Sequence, residues 1–216
     1  MAKKPLTSTH LIAEARTFCK QKHHHKNLFG VTDGKAVGTF IEHLFVEHLI
    51  SHYDTEQGNS ASGLDLPTLN VDIKVTSMRQ PQSSCPFQSA RQKLYGLGYH
   101  LLLFVYDKKD NAKRKISELD FVRCAFIDQS RTADYQTTRG VLDILMRSGN
   151  RDDLMAFLYD RNLPGDEITY NALVDEIMQH PPKLGYLTIS NALQWRLQYS
   201  RVVNLSESVE GITTIL

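Results

Sequence analysis

Residues 65–74 have the sequence DLPTLNVDIK, which places two carboxylates and one lysine around a short alternating segment. Apolar and polar side chains alternate over 71–75, the pattern of a strand with one buried face. Asp72 and Lys74 then lie side by side on its polar face. The proline and asparagine that precede this strand favour a turn, and such a turn brings Asp65 back beside Asp72.

This grouping of side chains suggests a particular chemistry. Two adjacent carboxylates form a hard-oxygen site of the kind that Mg²⁺ prefers, and an ammonium group beside them can orient or activate a water molecule. These are the components of metal-assisted phosphodiester hydrolysis. The competing interpretation is that Asp72 and Lys74 form an ordinary ion pair on an exposed strand face, because such pairs are common on protein surfaces.

Composition narrows the class of protein. The chain has 216 residues, which suffices for one large domain or one domain with a small appendage, and its 41% hydrophobic and 23% charged content is typical of a soluble globular protein. It contains no apolar stretch near 18 residues, so no transmembrane helix is expected. Three cysteines without CxxC spacing indicate reduced thiols and predict a cytoplasmic location. The net charge of +1 neither requires nor excludes a nucleic-acid partner.

The first half of the chain combines both kinds of secondary structure. Hydrophobic spacing predicts helices over 8–22, 35–51 and 86–97, and strands over 71–75 and 99–106. The three histidines of 23–25 are predicted to lie in a polar connector. The charged segment 107–115 is predicted to be a loop that ends the second strand.

The second half is predicted to be mainly helical, with helices over 140–161, 166–179 and 189–203. The last two are short and lie close together in the sequence, so they can form a helix-turn-helix. The second of them carries Asn191, Gln194 and Arg196, whose side chains suit the edges of bases in a major groove. The alternative is a helical hairpin used only for packing or dimerisation.

The order of these features resembles the PD-(D/E)XK nuclease superfamily, which contains most type II restriction endonucleases. The two acids and the lysine of its motif match Asp65, Asp72 and Lys74, and the added glutamate of its preceding helix matches Glu42. Two positions depart from the usual motif. Leu64 stands where a proline often precedes the first acid, and the second acid is an aspartate rather than the commoner glutamate.

The resemblance implies an α/β fold, a restriction-endonuclease-like mixed sheet flanked by helices, with a mainly helical C-terminal part. It implies a nuclease core with an N-terminal helix over 1–135. The helical region over 136–216 is then available for DNA recognition or dimerisation.

The resemblance also assigns roles to the residues of the motif. Asp65, Asp72 and the carbonyl of Ile73 are expected to hold Mg²⁺, which offsets charge at the scissile phosphate. Lys74 is expected to favour the hydroxide form of the attacking water, and Glu42 to orient water or assist a second ion.

Polar and basic residues beyond the motif are candidates for contacts with DNA. Those expected to contact phosphates or base edges are Ser77, Arg79, Gln80, Gln82, Lys93, Asn191, Gln194 and Arg196.

The function that these features predict is Mg²⁺-dependent, sequence-specific cleavage of double-stranded DNA by a type II restriction endonuclease. A homodimer is expected because cutting both strands of a palindrome requires two sites related by a two-fold axis. Two alternatives stay open at this point. One is a nicking or branched-DNA repair nuclease, and the other is a non-catalytic helix-turn-helix regulator.

Overall fold

The computed structural model describes residues 3–56, 58, 63–85, 89–190 and 195–216. The helices are α1 Ser8–Lys20, α2 Gly34–His52, α3 Ala90–Tyr95, α4 Tyr135–Met146, α5 Arg151–Asp160, α6 Glu167–Gln179 and α7 Ser200–Val203. The strands are β1 Lys4–Pro5, β2 His23–His25, β3 Tyr53–Asp54, β4 Val71–Ser77, β5 Gln82–Ser84, β6 His100–Asn111, β7 Ile116–Ile127, β8 Thr188–Ile189, β9 Arg196–Gln198 and β10 Ile212–Thr214. Among the residues described, no helix has the length and apolar character that crossing a membrane requires.

The chain forms two compact units, each assembled from separate stretches of sequence. The first comprises Met1–Pro81, His100–Ile127 and Glu207–Leu216, and the second comprises Gln82–Tyr99 and Asp128–Ser206. Neither unit coincides with the contiguous segments 1–135 and 136–216, and that division into domains stays a prediction.

A mixed sheet forms the centre of the first unit. Its strand order is β10-β7-β6-β4, and β2 also pairs with β7. β4 runs parallel to β6, whereas the other pairings are antiparallel. α2 packs against β4 and α1 packs against β7. The predicted α/β fold, a mixed sheet flanked by helices, is confirmed.

The strand that carries the motif, β4, stands at one end of this strand order and pairs with β6. Seven residues of β4 pair with β6, from Val71 opposite His100 to Ser77 opposite Tyr106. Val71 and Ile73 are fully buried, as the alternating pattern predicts. The predicted strands over 71–75 and 99–106 are therefore confirmed, and so are the helices predicted over 8–22 and 35–51.

Two polar segments were wrongly predicted to be loops. His23–His25 forms β2, and His23 is 5% exposed because its ring packs against Phe18 and Phe121 at 4.5 and 4.9 Å. Burial lowers the pKa of His23, which keeps the ring neutral and able to pack. β6 continues to Asn111, because cross-strand pairing with β7 extends past the apolar segment into charged residues.

The predicted elements also lack β7, for which the structure gives a physical reason. Opposite Val105 and Tyr106, the register skips one residue of β7, so that Val122 forms a β-bulge. Before the bulge Leu119 and Phe121 point inward, and after it the phase of alternation changes to Cys124. A period-two pattern that changes phase in the middle is weak over any short window.

Helices surround the core of the second unit. The prediction of a single helix over 140–161 is wrong, because α4 ends at Met146 and α5 begins at Arg151. Ser148 has a left-handed backbone with φ 58°, and Asn150 caps α5, which separates the two helices. The helix predicted over 166–179 is confirmed as α6.

The predicted helix-turn-helix is wrong. In place of a helix over 189–203, the described residues form β8, β9 and the four-residue helix α7. Trp195, Leu197 and Tyr199 are buried while Arg196 and Gln198 between them are half-buried, which is the alternation of a strand. The helix predicted over 86–97 is confirmed as the shorter α3, which begins at Ala90 and ends at Tyr95. Residues 86–88 lie outside the described part of the chain.

Candidate active site

The turn predicted before β4 is present and brings Asp65 back to the strand. Asn70 adopts a left-handed backbone with φ 54°, and Leu66 forms a bridge with Val71 across the turn. The backbone N–H of Ile73 donates a hydrogen bond of 2.6 Å to Oδ2 of Asp65. The carboxyl group of Asp65 is thus fixed beside the strand that carries the second acid.

Asp72 and Lys74 form an ion pair on β4, with Nζ of Lys74 at 2.6 Å from Oδ2 of Asp72. Asp72 is 4% exposed, and the side chain of Lys74 is 22% exposed. The pair therefore does not lie on an exposed strand face. Removing charged groups from water is costly unless they are paired and hydrogen-bonded. Buried ionisable groups of this kind are concentrated at functional sites.

Glu42 on α2 completes the cluster, because its carboxyl group is hydrogen-bonded to that of Asp65. The approach of α2 to β4 depends on Gly38, which lies one helical turn before Glu42. A Cβ atom at Gly38 would lie 2.9 Å from the backbone oxygen of Val75. The absence of a side chain at this position lets the helix carry Glu42 to the two aspartates.

We expect Gly38→Ala to lower both stability and activity. Separating α2 from β4 by a few tenths of an ångström is expected to destabilise the fold by about 1–3 kcal/mol and to withdraw Glu42 from Asp65. Chemical denaturation and the DNA-cleavage rate measure the two effects. Gly34→Ala on the same helix is the matched control, because its Cβ would meet nothing closer than 4.0 Å. Equal behaviour of the two variants would contradict a close contact at Gly38.

Two carboxyl groups of the cluster, those of Glu42 and Asp72, have raised pKa values. Burial, followed by the charge of Asp65 and the hydrogen bond to it, raises the pKa of Glu42 to about 8. Burial also raises the pKa of Asp72 to about 7, against the lowering effect of Lys74, and the hydrogen bond to Asp65 raises it further. Without a cation the cluster therefore binds protons near neutral pH.

These protons indicate what the cluster can bind. Two carboxyl groups share a hydrogen bond only when a proton lies between them, and a divalent cation can replace that proton. Oxygen ligands suit Mg²⁺ or Mn²⁺. Within the described residues, no group of three or more His, Cys, Asp or Glu side chains is arranged to hold a metal ion by itself. The predicted ligands Asp65, Asp72 and the Ile73 carbonyl are all oxygen donors, and Asp65 is held beside the strand that carries the other two.

Five of the eight predicted DNA contacts fall into two groups. Ser77 ends β4, and Arg79 and Gln80 are exposed in the turn that follows it. Gln82 and Arg196 belong to β5 and β9 of the second unit, which pair antiparallel. The predicted DNA contacts of the first unit thus lie at the end of β4 and in the turn that follows it.

The other three candidates are Lys93, Asn191 and Gln194. Lys93 is 1% exposed, and its Nζ lies 5.0 Å from the centroid of the Trp195 ring. Burial lowers the pKa of Lys93. A side chain so placed presents no surface to a phosphate. Asn191 and Gln194 lie outside the described residues.

Strand pairing places polar residues opposite these candidates. The register places Gln198 opposite Gln82 and Arg196 opposite Ser84. The signal that identifies them is the alternation in the sequence WRLQY over 195–199, which a helical interpretation of the segment conceals.

Comparison with known proteins identifies the family. The model of the type II restriction enzyme NspV family matches residues 5–214. The type II restriction enzyme NspV of Nostoc sp. is 55% identical over 212 residues, which cover 97% of this chain and 96% of the relative. No solved structure matches the chain significantly. The chain therefore belongs to the NspV family of type II restriction enzymes.

Proposed function

We propose that the chain is a Mg²⁺-dependent endonuclease of the PD-(D/E)XK type, and that its catalytic centre is the cluster of Glu42, Asp65, Asp72 and Lys74. The observation that carries this proposal is that Glu42 of α2 and Asp65 of the preceding turn lie beside Asp72 and Lys74 of β4. The enzyme cleaves double-stranded DNA at a specific sequence, as membership in a type II restriction family implies.

Asp65, Asp72 and the carbonyl of Ile73 are the groups that would hold the ion. Mg²⁺ supplies electrostatic stabilisation of the charge that develops on the phosphate and on the leaving oxygen. The buried position of Asp72 strengthens this site, because low local polarity increases the attraction between a carboxylate and a cation.

Lys74 and Glu42 act on the attacking water. Nζ of Lys74 stabilises negative charge on the water oxygen, which favours hydroxide formation, and Asp72 at 2.6 Å holds the ammonium group in place. Glu42 accepts a hydrogen bond from the same water and orients it. The water releases one proton to solvent and its oxygen forms a new bond to phosphorus. The bond from phosphorus to the leaving oxygen breaks, and that oxygen takes a proton from solvent.

Incubation of the protein with supercoiled plasmid tests this function. With Mg²⁺ we expect discrete linear fragments whose ends share one sequence, and with a chelator we expect no cleavage. Open circles without linear product would indicate a nicking enzyme. Intact plasmid under all conditions would contradict nuclease activity.

The raised pKa values predict how Mg²⁺ affects stability. A carboxyl group with an unfolded pKa near 4 and a folded pKa of about 7 to 8 contributes stability below pH 4 that is lost as the pH rises to 8. We therefore expect Mg²⁺ to raise the Tm more at pH 8 than at pH 6. At one Mg²⁺ concentration, set to ten times the Kd measured at pH 8, the shift at pH 8 is expected to be about 3–6 °C.

Differential scanning fluorimetry at the two pH values measures this shift. Asp120→Asn, which changes an exposed aspartate of β7, should keep it, whereas Asp72→Asn should lose it. A shift that is equal at both pH values in the wild type would contradict displacement of protons from the cluster.

The proposed assembly is a homodimer in the cytoplasm. The part of the chain that the structure describes holds one cluster of this kind, so a second copy would cut the second strand, and a two-fold axis matches a palindromic sequence. Cys19, Cys85 and Cys124 are buried thiols that form no disulfide with one another, as is usual in a reducing compartment. Sedimentation equilibrium tests the dimer, and a monomer that still makes double-strand breaks would contradict it.

A further inference from the structure

The second unit contains a three-stranded antiparallel sheet whose two faces differ in chemistry. Its strand order is β5-β9-β8. The register aligns Gln82 with Gln198 and Thr188 in one row, and Ser84 with Arg196 in another. Because side chains alternate across a strand, these five residues share one face, which we call the amide face.

The opposite face of the sheet packs into the second unit. Leu197 is fully buried and Ile189 is 3% exposed. The hydroxyl of Ser83 lies 2.6 Å from that of Tyr199, which is itself fully buried. The sheet is thus anchored from behind, and its orientation is fixed by packing rather than by the residues of the amide face.

The amide face has a composition that suits base edges. Ser84 is exposed, and Gln82, Thr188, Arg196 and Gln198 are half-buried. Glutamine can bond twice to adenine, arginine can bond twice to guanine, and serine and threonine can donate or accept with several bases. The five side chains include no carboxylate that would repel DNA.

We infer that the amide face enters the major groove and determines the sequence that the enzyme cleaves. Three strands about 4.8 Å apart span about 10 Å. A major groove about 12 Å wide admits an element of this size. This inference rests on the proposed function, since it names the surface through which that nuclease selects its DNA.

The sequence ties this surface to the catalytic strand. Only four residues separate Ser77, the last residue of β4, from Gln82, the first residue of β5. At 3.3–3.6 Å per residue, the chain permits a separation of at most about 18 Å between these two residues.

The test measures binding to the sequence that wild-type digestion and end sequencing identify. In an Asp72→Asn background, we expect Gln198→Ala and Arg196→Lys each to weaken binding of the specific duplex by about 10- to 100-fold. Binding of an unrelated duplex should change less than about threefold. Arg196→Lys keeps the positive charge that attracts any duplex, and it loses the planar guanidinium that can bond twice to one base. Gln179→Ala and Arg147→Ala, which change exposed residues of α6 and the end of α4, are matched controls.

The possible outcomes separate this inference from the proposed function. Selective loss of specific binding, with unchanged circular dichroism, supports base reading by the amide face. Equal loss on both duplexes would limit the face to backbone contacts and overturn the inference, and so would unchanged specific binding. If the wild type cuts plasmid while Gln198→Ala in the active enzyme cuts the same sites at the same rate, the inference fails and the nuclease stands. If the wild type does not cut, the proposed function fails.

Discussion

Asp72→Asn should reduce DNA cleavage in Mg²⁺ by about 10³-fold or more, equivalent to about 4 kcal/mol of lost transition-state stabilisation. Asparagine keeps the size of the side chain but removes the negative charge that would hold the ion. Because burial already raises the pKa of Asp72 to about 7, its charged form is destabilised in the metal-free protein. We therefore expect Asp72→Asn to fold with at least wild-type stability at pH 8.

The single-turnover rate on a short duplex that contains the cleavage sequence measures the catalytic effect. Denaturant unfolding without metal measures stability. Asp120→Asn is the control, since it removes one carboxylate from an exposed position in the same sheet. If Asp72→Asn is inactive because it is unfolded, the Asp72→Glu variant tests the role of Asp72 instead. That variant keeps the charge and should retain Mg²⁺-dependent cleavage if the residue holds the ion.

Lys74→Met should lower kcat by about 10²- to 10³-fold and leave KM nearly unchanged. Methionine fills a similar volume but cannot stabilise negative charge on the attacking water. The loss should become smaller at higher pH, because hydroxide then forms without help from an ammonium group. Steady-state kinetics between pH 7 and 9 measure both effects.

Lys113→Met is the matched control for this substitution, because Lys113 is exposed in the turn between β6 and β7. A purely structural role for Lys74 would lower the activity equally at every pH. A Lys74→Met enzyme with wild-type kcat would remove the lysine from the mechanism.

Much of the candidate site was predictable because its signals are local. Alternation over 71–75 predicts β4, and the turn-forming residues before it predict the return of Asp65 to Asp72. Helical spacing predicts α2 and hence the element that carries Glu42. The contact between Gly38 and Val75, which sets how near Glu42 comes, joins distant parts of the chain and has no sequence signal of its own.

The errors concern elements whose pattern is short or is set by distant partners. The bulge at Val122 changes the phase of β7. β2 is a strand through its pairing with β7, and His23 also packs against Phe18 and Phe121. The hydrophobic spacing over 189–203 fits a helix, yet β9 pairs with β5, which lies more than a hundred residues earlier in the sequence. Local pattern does not reveal such pairing.

The most direct test of the central claim is plasmid cleavage by a matched set of variants at equal concentration in Mg²⁺. The cluster variants are Asp65→Asn, Asp72→Asn and Lys74→Met, and the controls are Asp120→Asn and Lys113→Met. We predict that the wild type and both controls produce the same linear fragments, while the cluster variants leave the plasmid uncut over the same period. Cleavage by Asp72→Asn at a rate within threefold of the wild type would contradict the assignment of this cluster as the catalytic centre.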